Sequence, residues 1–240
     1  AIEFAKRGAK VLVNDLGGAV DGTGSGSTAA AVVEEIKAIG GIAIANGDSV
    51  ADEAGASKII QDAVDAFGTV DILVNNAGIL RDKTFKKMSM DDFDLVMQVH
   101  MLGTAYVTHA VWPIMYDKHY GRIVCTSSGS GIYGNFGQSN YGAAKMAMLG
   151  FMNVLALEGA GHNVRINCLA PGAATRMTAT VPGRSPFGDN SEGKIHKFIR
   201  TKSDHETGII EVLKIKNLLK SNFIIMFSNL DYICFVITFS

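Results

Sequence analysis

A chain of 240 residues, 48% of them hydrophobic, is long enough to bury a full core, and one large α/β domain accommodates it. Its 22 basic and 23 acidic residues are well mixed and leave a formal net charge of −1, which excludes a broad positive field for a nucleic-acid backbone. The cysteines Cys125, Cys168 and Cys234 lack any CxxC or Cys/His ligand spacing, so they read as reduced thiols of an intracellular protein with no metal site.

The chain opens with AIEFAKRGAK, which reads as the back half of an amphipathic helix and not as a signal peptide. Apolar runs of strand length then alternate with longer helical patterns. The spacing predicts strands at Val11–Asn14, Ile42–Ala45, Ile72–Val74, Ile123–Thr126 and Val164–Leu169, and helices at Ser27–Ile39, Asp52–Phe67, Met90–Lys118 and Asn140–Gly159. That alternation belongs to βαβ units and a doubly wound parallel sheet buried on both faces. Ser89 and Asp92 form a capping box at the start of the third helix. Gly8, Gly40 and Gly68 stand where a left-handed helix C-cap is easiest for a residue without Cβ. Composition changes after Val181: no alanine occurs from Pro182 onward. The expected division is therefore a domain over 1–181 and an atypical tail over 182–240 that is no part of its fold. Within the tail, 188–205 reads as loop, Ile209–Leu219 as helical, and Gly208–Val212 as a weak strand candidate. Asn222–Ser240 is apolar, but Asn229 and Asp231 interrupt it, so no membrane span is expected.

The strongest chemical signal is Tyr141-Gly142-Ala143-Ala144-Lys145 with Ser128 thirteen positions upstream. Tyr and Lys at i and i+4 share one helix face, which sets an ammonium beside a phenol. A phenol is a poor base at neutral pH, and a nearby cation favours its anion, so Lys145 is expected to bring Tyr141 toward the range where acid–base catalysis works. Ser128 ends a strand, and in parallel sheets ligands bind at the carboxyl ends of strands.

Asn75-Asn76-Ala77-Gly78, Ser128, Tyr141/Lys145 and Pro171-Gly172, in this order, resemble the short-chain dehydrogenases. The stretches NDLGG, NNAGILRDKTF and SSGSGIYGNFGQSNYGAAK look most like the (3R)-hydroxyacyl-CoA dehydrogenase unit of peroxisomal multifunctional enzyme type 2 and its bacterial single-domain relatives. The likeness runs from residue 1 to about Val181. It implies a Rossmann-type fold and an NAD-dependent exchange between a secondary alcohol and a ketone, with a 3-hydroxyacyl-CoA as substrate. It also implies roles. Tyr141 would be the acid–base on the substrate oxygen, Ser128 would hydrogen-bond that oxygen, and Lys145 would tune the phenol and bind the nicotinamide ribose. Asn76 would line the adenosine side, Ser49 and Val50 would flank the adenine, and Ala173, Ala174 and Thr175 would meet the nicotinamide amide. His100 matches a family position that supports proton relay, but a lone helical histidine is more often a packed core residue, and it is left out of the expected site.

Asp15 ends a strand in this frame. A carboxylate there accepts from both ribose hydroxyls of NAD and repels the 2′-phosphate of NADP. Gly22, Gly24 and Gly26 in DGTGSGST imitate a phosphate loop but follow the wrong strand, so they are expected to be a flexible lead into the next helix. The family's own phosphate loop and first strand are expected before Ala1. Without them the sheet would carry an empty slot, and the chain would bind NAD weakly. Alternatives are therefore a non-catalytic product, or a dehydrogenase of another secondary alcohol such as a steroid. Apolar residues around the long helices imply a homo-oligomer, and the compartment is peroxisome or cytoplasm.

Overall fold

The computed structural model describes residues 1–24 and 26–170, together with the backbone of 197–198 and 234–238. Five parallel strands form the frame: β1 (Lys10–Asn14), β2 (Ile42–Asn46), β3 (Ile72–Asn75), β4 (Gly121–Thr126) and β5 (Val164–Ala170). Helices α1 (Ile2–Ala5), α2 (Thr28–Ala38), α3 (Glu53–Phe67), α4 (Met90–Met97), α5 (Gly103–Asp117), α6 (Gly129–Tyr133) and α7 (Ser139–Glu158) connect and cover them. The expected strands and helices are present within one or two residues, apart from the third helix.

Alternation within the strands builds two cores. Leu12, Leu73, Ile123 and Ile166 face α3, α5 and α7, whose Ile59, Val111, Met115 and Met148 join the same cluster. Val11, Val13, Ile72 and Val74 face the other way and pack with Ala29, Val33 and Ile36 of α2. Because neighbouring residues of one strand serve opposite faces, the strands read as continuous apolar runs. Local signals close the helices. The Asp52 carboxylate accepts from the Gly55 amide at 2.7 Å to start α3, and Gly68 ends it at φ +83°. Ser89 Oγ accepts from the Asp92 amide at 3.2 Å, but the Asp92 carboxylate turns away to Arg81 and Lys83, so only half of the capping box forms.

Three expectations are corrected. Met90–Lys118 is not one helix: a π-helical turn at Gln98–Leu102 separates α4 from α5. Wide turns of this kind inside helices recur at functional sites, and this one carries His100. The slot in the sheet is not empty. Strand β7 (Cys234–Thr238) lies between β1 and β3, antiparallel to both, in a sheet ordered β2-β1-β7-β3-β4-β5-β6, with β6 at Lys197–Phe198. Buried edges of β1 and β3 need partners for their amides and carbonyls, and the backbone of the tail supplies them. The 188–205 stretch is not all loop either, because β6 (Lys197–Phe198) pairs with the end of β5. The expectations for 209–219 and for most of 222–240 lie outside the described residues. No helix among the described residues is long and apolar enough to cross a membrane.

Candidate active site

Parallel strands end on one rim, and the expected site residues gather there. Asp15 follows β1, Ser49 and Val50 follow β2, Asn76 follows β3, and Ser128 follows β4. Tyr141 and Lys145 reach the same rim from the first turns of α7. Ala173, Ala174 and Thr175 lie outside the described residues.

Ser128 N-caps α6, its Oγ accepting from the Ser130 amide at 3.1 Å. The hydroxyl keeps its own proton to donate, and Ser128 stands near enough to the Tyr141 phenol to favour its ionised form. Lys145 is 3% exposed; its Nζ stands 5.5 Å from the centre of the Tyr141 ring and donates to the Thr126 carbonyl at 2.5 Å. Ser127 Oγ in turn donates to the Lys145 carbonyl at 2.7 Å, so the end of β4 is stitched to α7 on both sides of this lysine. Serine, tyrosine and lysine thus stand around the end of β4.

The electrostatics differ from expectation. Burial pushes the Tyr141 phenol up to about 12, against a lowering from the Ser128 hydrogen bond, and the charge of Asp82 adds to the rise. Burial also brings Lys145 down to about 8, with the Cys125 and Cys168 thiols opposing. The expected lowering of the phenol by its lysine is therefore not found. Desolvation is the largest influence on both groups. As it stands, the phenol is a proton donor.

One residue set aside on sequence grounds sits inside the site. His100, 1% exposed, meets the Tyr141 ring edge-on at 5.2 Å between centroids, and its Nε2 lies 3.0 Å from the Ile79 amide nitrogen and 2.8 Å from the Ile79 carbonyl oxygen. Burial, then the nearby Lys145 charge, hold it well below the usual imidazole range, so it is neutral. The signal that could have found it is Gly78: a Cβ there would stand 2.2 Å from His100 Cε1. The glycine of NNAG is thus the space the imidazole fills. Gly78→Ala is expected to cost about 1–3 kcal/mol of stability through overpacking, read as a lower denaturant midpoint, with activity lost as the ring is pushed from Tyr141. An unchanged midpoint would show that the imidazole has room to move.

The cofactor-side residues are ordered by their own turns. Asp15 is 6% exposed, and its Oδ1 accepts from the Gly17 amide at 2.5 Å. Ser49 Oγ accepts from Ala51 N at 3.0 Å, and Val50 is buried against Gly103. Asn76 Oδ1 accepts from Thr126 Oγ1 at 2.8 Å, which ties the ends of β3 and β4. The glycine-rich stretch after β1 brings Gly17 and Gly26 together. Gly26 N donates to the Leu16 carbonyl at 3.2 Å, and a Cβ on Gly17 would stand 2.3 Å from the Gly26 nitrogen. It presents no helix N-terminus to a pyrophosphate between β1 and β3.

The description of the short chain dehydrogenase family matches residues 1–184. The chain belongs to the short-chain dehydrogenase family. Over 182 residues, 75% of the chain, this dehydrogenase is 58% identical to the peroxisomal multifunctional enzyme A of Dictyostelium discoideum and covers 41% of it. It is 54% identical to the peroxisomal multifunctional enzyme type 2 of Mus musculus, again over 75% of the chain, and covers 24% of that protein. It thus spans less than half the length of either relative. Among solved structures, a short chain dehydrogenase from Mycobacterium avium superposes with a TM-score of 0.68 at 42% identity, covering 78% of this chain and 66% of the other. The dehydrogenase domain seen here is that fold.

Proposed function

We propose that this dehydrogenase interconverts a 3-hydroxyacyl-CoA and the corresponding 3-ketoacyl-CoA with NAD, the expected site residues all lying within 1–181 while β7 completes the sheet that carries them. The carrying observation is the buried Lys145, its Nζ 5.5 Å from the centre of the Tyr141 ring and tied to the Thr126 carbonyl at the end of β4, with Ser128 following that strand. The thioester class follows from the motif resemblance to the hydroxyacyl-CoA dehydrogenase unit, and the relatives' names support a peroxisomal setting over a cytoplasmic one.

The dinucleotide supplies the hydride acceptor or donor. The protein's task is the proton. A carbonyl oxygen placed where Ser128 and Tyr141 both reach receives the serine hydrogen bond, and the neutral phenol donates its proton as charge develops on that oxygen. In the oxidative direction the same phenolic oxygen must take the proton back. Lys145 then matters as a cation that stabilises the phenolate once it forms. Only one of its three N–H groups is spent on Thr126, which leaves donors for ribose hydroxyls.

Asp15, Ser49, Val50 and Asn76 on one side of the rim and Lys145 on the other are the residues that would hold the two nucleoside ends of the cofactor. A second reading, that this 240-residue chain binds NAD weakly and turns over little, is favoured by β7. An antiparallel strand at the sheet centre cannot feed a following helix N-terminus at the carboxyl rim, which is where this fold binds pyrophosphate. Calorimetric titration with NAD separates the two, micromolar affinity supporting the first. Asp15→Ala is expected to weaken NAD binding roughly tenfold while leaving NADP unaffected or improved. Equal loss for both dinucleotides would remove the ribose assignment. Reduction of NAD in the presence of a 3-hydroxyacyl-CoA, absent with a steroid alcohol, is the direct test of the substrate class.

A homo-oligomer is part of the proposal. Met146, Val154 and Leu157 of α7 are 51%, 54% and 70% exposed, an apolar stripe of the kind that pairs helices between subunits. Light scattering of the intact protein checks it, a monomer being the adverse result.

A further inference from the structure

A hydroxyl assists a reacting oxygen only from a fixed direction, and Ser128 takes its direction from the short helix that follows it. Its Oγ accepts from the Ser130 amide at 3.1 Å at the start of α6. Ser130 donates its own hydroxyl to Gln138 Oε1 at 2.8 Å, and Asn135 Nδ2 donates to the same oxygen at 3.0 Å. Gln138 is 4% exposed and is the N-cap residue of α7, yet its side chain caps nothing in that helix. Its Nε2 donates instead to the Asp82 carboxylate at 2.7 Å, in the loop after β3. Its carbonyl accepts from the Gly142 amide at 2.7 Å, within the first turn of the tyrosine helix. One residue thus joins the loop after β3, the α6 segment and the helix that carries Tyr141 and Lys145.

That first turn is a fixed reference. Asn140 is 0% exposed; its Nδ2 donates to the carbonyls of Arg81 and Asp92 at 3.1 and 3.3 Å, and its Oδ1 accepts from the Tyr141 amide at 2.8 Å. Backbone packing then brings α6 against α7. A Cβ on Gly131 would stand 2.8 Å from the Met146 nitrogen, and one on Gly142 would stand 3.1 Å from the Ser130 carbonyl oxygen. Contact between surfaces without side chains sets how close the two helices come, but not how one is turned on the other. An apolar side chain of Gln138's volume would fill the space without the cost of burying an amide. What the amide adds is direction, because its donor and acceptor ends point opposite ways and each has a partner in a different loop.

We propose that Gln138 is a positioning residue of this active site: through Ser130 it holds the Ser128 hydroxyl in register with the tyrosine helix, so that serine and tyrosine address one substrate oxygen. This rests on the reading of Ser128 and Tyr141 as the pair that acts on that oxygen. Ser130 transmits the constraint, since its hydroxyl is held by Gln138 and its amide holds Ser128.

Gln138→Met fills the space without the amide. Ser130→Ala, the second variant should the first fail to fold, removes the hydroxyl that donates to Gln138 and keeps the amide that donates to Ser128. Each is expected to lower kcat for NAD reduction with a 3-hydroxyacyl-CoA roughly tenfold, with the KM for NAD unchanged. Action through Ser128 has a signature that general loosening lacks: in a Ser128→Ala background the same substitutions should change kcat by less than about twofold. The same roughly tenfold loss in both backgrounds overturns the proposal. Another readout needs no turnover. Hydrogen exchange at the Ser130 amide, followed by NMR, should be faster in Gln138→Met than in the parent protein, while amides of α7 beyond Lys145 keep the parent rates. Exchange at Ser130 unchanged from the parent also overturns it. If the parent protein oxidises no hydroxyacyl-CoA, the substrate reading fails while the exchange rate still decides on Gln138.

Discussion

Tyr141→Phe is expected to lower kcat roughly a hundredfold to ten-thousandfold while leaving the fold intact, the range by which a positioned proton donor accelerates such a step. The phenyl ring keeps the edge-on contact with His100, so packing is preserved and only the hydroxyl is lost. Ser128 would still hydrogen-bond the reacting oxygen, but it holds no proton that the site is built to release. The measurement is NAD reduction at saturating substrate with circular dichroism of both proteins, and turnover within a few-fold of the parent would remove Tyr141 as the acid–base. The same variant has a signature in stability. The phenol's pKa is about 12 in the folded chain against an ordinary 10.0, so it contributes stability below pH 10 that is lost as pH rises through 12. Phenylalanine carries no such proton, and the alkaline loss of stability should be shallower in the variant. Lys145 works in the opposite direction: depressed from 10.5 to about 8, it penalises folding below pH 8, and the penalty fades between pH 8 and 10.5.

Removing β7, by ending the chain at Tyr232 or Ile233, is expected to abolish cooperative folding. Its backbone pairs with Lys10–Asn14 on one side and Ile72–Val74 on the other. Leu12 and Leu73 at the centre of those strands are fully buried, so their main-chain groups have no water to turn to. Each buried polar group left without a partner costs about 1–3 kcal/mol, and several of them exceed the 5–15 kcal/mol that holds a typical domain. Two open edges side by side would also invite pairing between molecules. Thermal denaturation followed by circular dichroism, together with gel filtration, reads both effects. A shortened chain with the parent's melting midpoint and elution volume would show that β1 and β3 do not depend on this strand.

What could be read without coordinates was whatever depends on residues close in sequence. Apolar runs of strand length located five strands, because a parallel sheet is buried on both faces and neighbouring residues of one strand are apolar alike. The Asp52 cap and the Gly68 turn marked helix ends, because capping is a contact across three or four residues. Ser128, Tyr141 and Lys145 were recognisable for the same reason, a fixed helical spacing beside the end of a strand. Long-range contacts decided the rest. The π-helical turn at Gln98–Leu102 arises inside an unbroken helical pattern and shows only when His100 is seen filling the space above Gly78. The strand beside β1 and β3 comes from more than two hundred residues along the chain from β1, where no local pattern announces its partner. The proton affinity of Tyr141 was misjudged because spacing reveals the neighbouring cation but not the burial, nor the carboxylate that Asp82 contributes from another loop. Local order is encoded in the sequence through short-range sterics and hydrogen bonds; desolvation and the pairing of distant edges exist only once the chain has closed on itself, and these decided the electrostatics of the site.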